Sequence, residues 1–215
     1  VEGLAEEYKT NLLKRIITSI VIVLPIVLIL LSANIWAFSV LITVICLLAM
    51  FEWFKSKLQK PIIGVLLILN FYFWSILLVI SPGMYEEGVY VWYGILILNT
   101  AIFDSFAYLI GSKFGKTYIA KKISPNKTLE GLIGGILGSM LFGIFVGYQI
   151  QDYAIILFFI FLCFLAFVGD LLISFIKRQS GVKDTGTILP GHGGILDRLD
   201  SHLIVIPVSI MITVL

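Results

Sequence analysis

The chain has 215 residues, 60% hydrophobic and 13% charged, with a net charge of +2 and a mean hydropathy of +1.07. A soluble domain of this length is far more polar, so that class is excluded, and nucleic acid is not an expected partner.

The leader, residues 1–15, carries Glu2, Glu6 and Glu7, which argues against a cleaved signal peptide. The run after it is therefore read as a retained first span. Val1 in place of Met points to upstream residues that were trimmed or lie outside this sequence. Leu4, Tyr8 and Leu12 fall at helical spacing and predict a short helix lying on the membrane surface. A span needs about 20 apolar residues. Clear runs are 16–31, 35–51, 62–80, 89–111 and 153–176, and a sixth, 131–150, is richer in Gly. A seventh, 203–215, is short, and is expected to continue further or to end in the outer leaflet. The expected fold is all-α, a polytopic helical membrane protein of about seven spans. Cys46 and Cys163 lie inside spans and read as packed thiols rather than a disulfide framework.

With seven spans the connections alternate sides. Residues 1–15, 52–61, 112–130 and 177–202 share one side and hold all 15 Lys and Arg. The positive-inside rule then places this side in the cytoplasm. A basic face also attracts anionic lipid head groups.

Asp104, in NTAIFDSFAYLIG, and Asp170, in FVGDLLISFIKR, lie within spans near that side. An acid there is expensive and reads as functional, against the plainer reading of an interfacial carboxylate paired with a Lys. Ser174, Lys177 and Arg178 follow Asp170 at i+4, i+7 and i+8, predicting one face that runs from an acid to two cations. Acid suits a hard divalent cation, and the cations suit phosphate.

The stretch KDTGTILPGHGGILDRLD (183–200) is too rich in chemistry for a plain turn. Asp197 and Asp200 would share a face if the segment after Gly194 is helical. GHGG (191–194) puts glycines around His192, and Gly193 and Gly194 let backbone N–H groups approach an anion. Lys183, Asp184, His192 and Arg198 crowd the same turn, with Pro190 stiffening its entry. In the run 131–150, Gly131, Gly135, Ser139, Gly143 and Gly147 form an i+4 stripe, read first as helix packing within the chain or in a homodimer. Before it, Lys127 beside Thr128, after the Ser124–Pro125 turn, can bind phosphate but lacks the glycines of a Walker A loop.

These parts suit metal-assisted phosphoryl or nucleotidyl chemistry on a lipid. SFIKRQSGVKDTGTILPGHGGILDRLD (174–200) closely resembles the signature of the phosphatidate cytidylyltransferases, and the likeness extends through Gly169–Asp170, SPNKTLEG (124–131) and DSFAYLIG (104–111). It covers roughly residues 99–210, so the chain is divided into an N-terminal transmembrane region, 1–98, and a C-terminal catalytic region, 99–215. Family members usually have about nine spans, the extra pair belonging near KSKLQK (55–60).

The resemblance implies synthesis of CDP-diacylglycerol and pyrophosphate from CTP and phosphatidic acid, with Mg²⁺ and a second cation such as K⁺, in phospholipid biosynthesis. It implies Asp170 and Asp197 as main metal ligands, supported by Asp104 and Asp200. Lys127, Lys177, Arg178, Lys183, His192 and Arg198 would serve the phosphates, and Ser124, Ser174, Asp184, Gly193 and Gly194 the substrates. The expected location is the bacterial inner membrane, amid membrane lipids, with the site facing the cytoplasm. Three rivals stand beside this. A CTP-dependent lipid kinase would release CDP. A cation-coupled transporter has no need of the basic Gly-rich loop. A CDP-alcohol phosphatidyltransferase needs an acidic motif that is not found.

Overall fold

The computed structural model describes residues 2–81, 86–189 and 193–214, with side chains from residue 17 onward apart from 86 and 87. It is all-α. Among the described residues, eight helices run α1 Glu2–Ser32, α2 Ile35–Lys55, α3 Pro61–Ile80, α4 Glu86–Phe114, α5 Leu129–Ile150, α6 Ala154–Gln179, α7 Leu196–Leu199 and α8 His202–Val214. Among the described residues, the helices α2 to α6 are each long and apolar enough to cross a membrane. The segments Ile17–Ser32 and His202–Val214 are apolar but shorter. The predicted spans therefore match helices at every position, five of them at full spanning length.

One expectation is corrected. The leader does not form a separate surface helix: α1 continues from Glu2 through the first apolar run. Nothing between Leu4 and Leu24 breaks a helix, since the first Pro is Pro25 and the last Gly before it is Gly3.

Helix ends follow local chemistry. Asn34 caps α2 by accepting from Trp36 N at 2.9 Å and Ala37 N at 3.0 Å. Pro61 opens α3 in the first turn, where its missing N–H is harmless. Thr128 caps α5, accepting from Gly131 N at 3.1 Å. Glu130, in that first turn, accepts from Lys116 N and Thr117 N at 3.1 Å and folds the preceding loop onto the helix.

The small-residue stripe of α5 packs inside the chain. A Cβ on Gly135 would sit 2.5 Å from the Phe103 ring of α4, and one on Gly143 would sit 3.1 Å from the Ile156 backbone of α6. Ser139 is buried and donates to Asn99 of α4. These contacts fill the stripe with packing inside the chain, the first of the two readings.

The Lys-bearing loops gather at one end of the bundle. Gln59 donates from its backbone to Ser180 Oγ at 2.8 Å and from its side chain to Gln179 O at 2.9 Å. Ser56 donates to Thr185 O. Arg178 donates to Ile123 O at 3.1 Å and Val182 O at 3.0 Å. Loops from 55–60, 115–128 and 179–189 are thus bonded together, as their shared basic character predicts.

Candidate active site

A pocket of about 340 Å³ opens at this basic end. Helix α4 contributes Asp104, α6 contributes Asp170, and the 124–128 loop contributes Ser124, Asn126 and Lys127. Asp197, Arg198 and Asp200 close it from α7 and the turn after it. All four acids expected at a metal site therefore line one space, although they come from positions up to 96 residues apart (200 − 104).

Helix α6 is the axis of the site. Asp170 accepts from Ser174 Oγ at 3.1 Å, one turn on, and forms an ion pair with Lys127. Lys127 Nζ also lies 4.7 Å from the centre of the Phe167 ring, so α6 holds the lysine by charge and by π-face. A further turn along, Lys177 donates to Asp197 Oδ1 at 2.8 Å. Arg178 leaves this face for two carbonyls in the neighbouring loops. Gly169 lets the last turn come close, since a Cβ there would meet Asp200 O at 2.9 Å. That approach sets Asp200 beside Asp170.

Two acids of the signature, Asp197 and Asp200, differ. Asp197 accepts from Lys177 Nζ, Thr185 N at 2.9 Å and Gly194 N at 3.0 Å. Burial works against its charge, but these donors outweigh burial and hold its carboxyl below the usual carboxylate range. Asp200 accepts from its neighbour Ser201 N at 2.9 Å. Burial, and then the Asp170 carboxylate, push its carboxyl up to about 7.

Gly194 does bring an N–H to an anion, as its residue type predicts, but the anion is Asp197. Gly193 adopts φ +85°, and a Cβ there would meet Asp197 Oδ2 at 3.1 Å. Its carbonyl accepts from Leu189 N at 3.0 Å, closing the turn. His192 and Pro190 lie outside the described residues. Lys183 and Asp184 are exposed and do not line the pocket.

Sequence reasoning missed Glu52, on α2. It is 1% exposed and accepts from Leu196 N at 2.9 Å and Thr185 Oγ1 at 3.2 Å. The signal was present: Glu52 is the sole acid of an otherwise apolar α2, the property that drew attention to Asp104 and Asp170. Asn126, on the pocket wall, was missed as well.

Among the described residues, no three His, Cys, Asp or Glu side chains are grouped closely enough to hold a metal ion as they stand. Lysine ammonium groups occupy two of the carboxylates instead.

Residues 66–215 match a family model described as the cytidylyltransferase family. The chain belongs to the cytidylyltransferase family. The match begins well upstream of residue 99, where the recognisable motifs start. Among similar cytidylyltransferases, a phosphatidate cytidylyltransferase from Thermotoga maritima is 45% identical over 127 residues, 55% of this chain and 47% of the relative. One from Staphylococcus haemolyticus is 43% identical over 122 residues, 55% of this chain and 46% of the relative. One from Staphylococcus aureus is 42% identical over 127 residues, 57% of this chain and 48% of the relative. The matched stretch spans about half the length of these curated relatives.

Proposed function

We propose that this chain transfers the cytidylyl group of CTP to phosphatidic acid, giving CDP-diacylglycerol and pyrophosphate for phospholipid biosynthesis. The observation that carries the reading is the pocket itself. Asp104, Asp170 and Asp200 face Lys127 and Arg198 at the basic end of a membrane bundle whose family is cytidylyltransferase. A phosphate oxygen of phosphatidate attacks the α-phosphorus of CTP, and the bond from that phosphorus to the β-phosphate oxygen breaks. Such transfers depend on positioning and charge neutralisation more than on covalent help from the protein.

The pocket's donors fit Mg²⁺. They are hard carboxylate oxygens, and like-charged neighbours crowd Asp200, as a cation would relieve. Asp170 would hold the ion, with Asp104 and Asp200 supporting. Asp197 would join them on giving up Lys177, its present partner. Bound Mg²⁺ would supply neutralisation of the triphosphate charge. Four carboxylates leave charge for a second cation such as K⁺. Lys127, released from Asp170, becomes a phosphate ligand at the membrane edge, and Arg198 faces it across the pocket. The basic end faces the cytoplasm of a bacterial inner membrane, where CTP is available, as the Lys and Arg distribution supports.

The test is to supply the purified protein with Mg²⁺, phosphatidate and CTP labelled at either the α- or the γ-phosphate. Label from the α-position in the lipid, with pyrophosphate released, is expected. Label from the γ-position in the lipid, with CDP released, would make the protein a kinase instead.

A further inference from the structure

Glu52 lies outside residues 66–215, the stretch that matches the family model. A buried carboxylate is expensive unless it is held, so its partners define what it is for. Both of them belong to the signature loop. Leu196 N opens α7, the helix that carries Asp197, and Thr185 Oγ1 stands where that loop begins.

The loop is shaped to receive this side chain. A Cβ on Gly186 would lie 2.5 Å from Glu52 Oε1. A Cβ on Gly194 would lie 2.5 Å from Glu52 Oε2 and 2.4 Å from Thr185 Oγ1. Two of the signature glycines are therefore spaces into which a carboxylate from α2 fits.

Asp197 grips the same places from the other side. Thr185 donates its N–H to Asp197 and its hydroxyl to Glu52. Gly194 N goes to Asp197, while Leu196 N, two residues on, goes to Glu52. Two carboxylates clasp one loop. Asp197 faces the pocket, and Glu52 does not.

We propose that Glu52 is a positioning residue. It latches Thr185 and Leu196 to α2, so that both keep their place while Asp197 exchanges Lys177 for the incoming substrate complex. The inference rests on the reaction proposed above. Without the latch, an Asp197 that releases its partners also releases the loop that carries it, and the site must be rebuilt at each turnover.

Hydrogen exchange and steady-state kinetics on the whole chain in lipid nanodiscs test this, using Glu52→Ala, Glu52→Gln and Thr185→Val. Glu52→Ala should speed exchange across 185–199 by about tenfold or more, the loss expected for a hydrogen bond to a charged group. Exchange in α4 and α5 should not change. The KM for CTP should rise by a similar factor, while the KM for phosphatidate stays put. Glu52→Gln keeps an oxygen for Leu196 N and should fall between Glu52→Ala and the parent. A residue that only supports folding would lower kcat by reducing the active fraction and leave KM for CTP alone, so that pattern overturns the latch. Should Glu52→Ala not fold, Glu52→Gln and Thr185→Val carry the test, and parental loop exchange in both overturns it. If the parent makes no CDP-lipid while the loop still loosens in the variants, the reaction is wrong and the latch stands.

Discussion

Lys127–Asp170 and Lys177–Asp197 are both lysine–aspartate pairs with one member on α6, yet their surroundings differ. The second is closed: both side chains are 9% exposed, and two backbone amides complete the acid's shell. The first is open to the pocket, at 18% and 27% exposure, with the Ser174 hydroxyl as a further donor to the acid. A partly exposed pair contributes on the order of 0–1 kcal/mol, whereas breaking a buried one strands a charge at roughly 3–5 kcal/mol. The open pair is therefore available for exchange at once, whereas the closed one holds structure until the incoming substrate complex takes the place of Lys177. The family resemblance had made Asp170 and Asp197 equals.

The comparison breaks most visibly at Asp170. Asp170→Asn should lower turnover by at least about 10²-fold, the loss typical of removing one stabilising group at a reacting phosphate, with little change in unfolding temperature in detergent. Near-parental initial rates in a folded Asn variant would remove Asp170 from the site.

Asp197→Asn should instead lose stability, roughly 3–5 kcal/mol, because Lys177 keeps its charge with no acid opposite. A fall in unfolding temperature, partly reversed by adding Lys177→Met, is the expected result. An unchanged melting curve would show that the pair is not the lock described.

Asp200 sharpens the contrast through pH. Its carboxyl ionises near pH 7, and a cation binds the ionised form, so apparent Mg²⁺ affinity should improve as pH rises from 6 to 8. Stability without a cation has the opposite sign. A folded-state value raised above the ordinary carboxylate range favours the fold at low pH, and this is lost as pH climbs through about 7. Asp200→Asn should flatten both profiles, and metal titration with thermal melts at each pH measures them.

The smallest effect belongs to the turn after Lys177. Gly181 adopts φ +74°, and a Cβ there would meet open space. Gly181→Ala should cost about 1–2 kcal/mol from backbone conformation alone. KM for CTP should not move; a rise would tie this turn to the nucleotide.

Helices were legible because apolar runs end at Lys, Gly, Pro and Asn, and each such boundary is local. The convergence of Asp104, Asp170, Lys127 and Asp200 was legible as a list of expensive polar groups, though not as a geometry. Arg178 was placed wrongly on the face of Asp170 because i+8 lies about 80° round a helix from i, whereas i+7 lies about 20° away. The partners of Asp197 and Glu52 were beyond reach. A carboxylate does not announce which backbone amide it will accept from when that amide is carried by another element.

The Glu52–Leu196 bond joins residues 144 apart in sequence. A ribosome delivers the N-terminal end first. Glu52 therefore enters the membrane region early and waits, with its main partner unsynthesised, through the making of four further long helices. Until Leu196 arrives, the half-built bundle carries a carboxylate that water must continue to solvate. The segment that carries Leu196 both lines the pocket and relieves that charge, so closing the site and satisfying Glu52 are a single event.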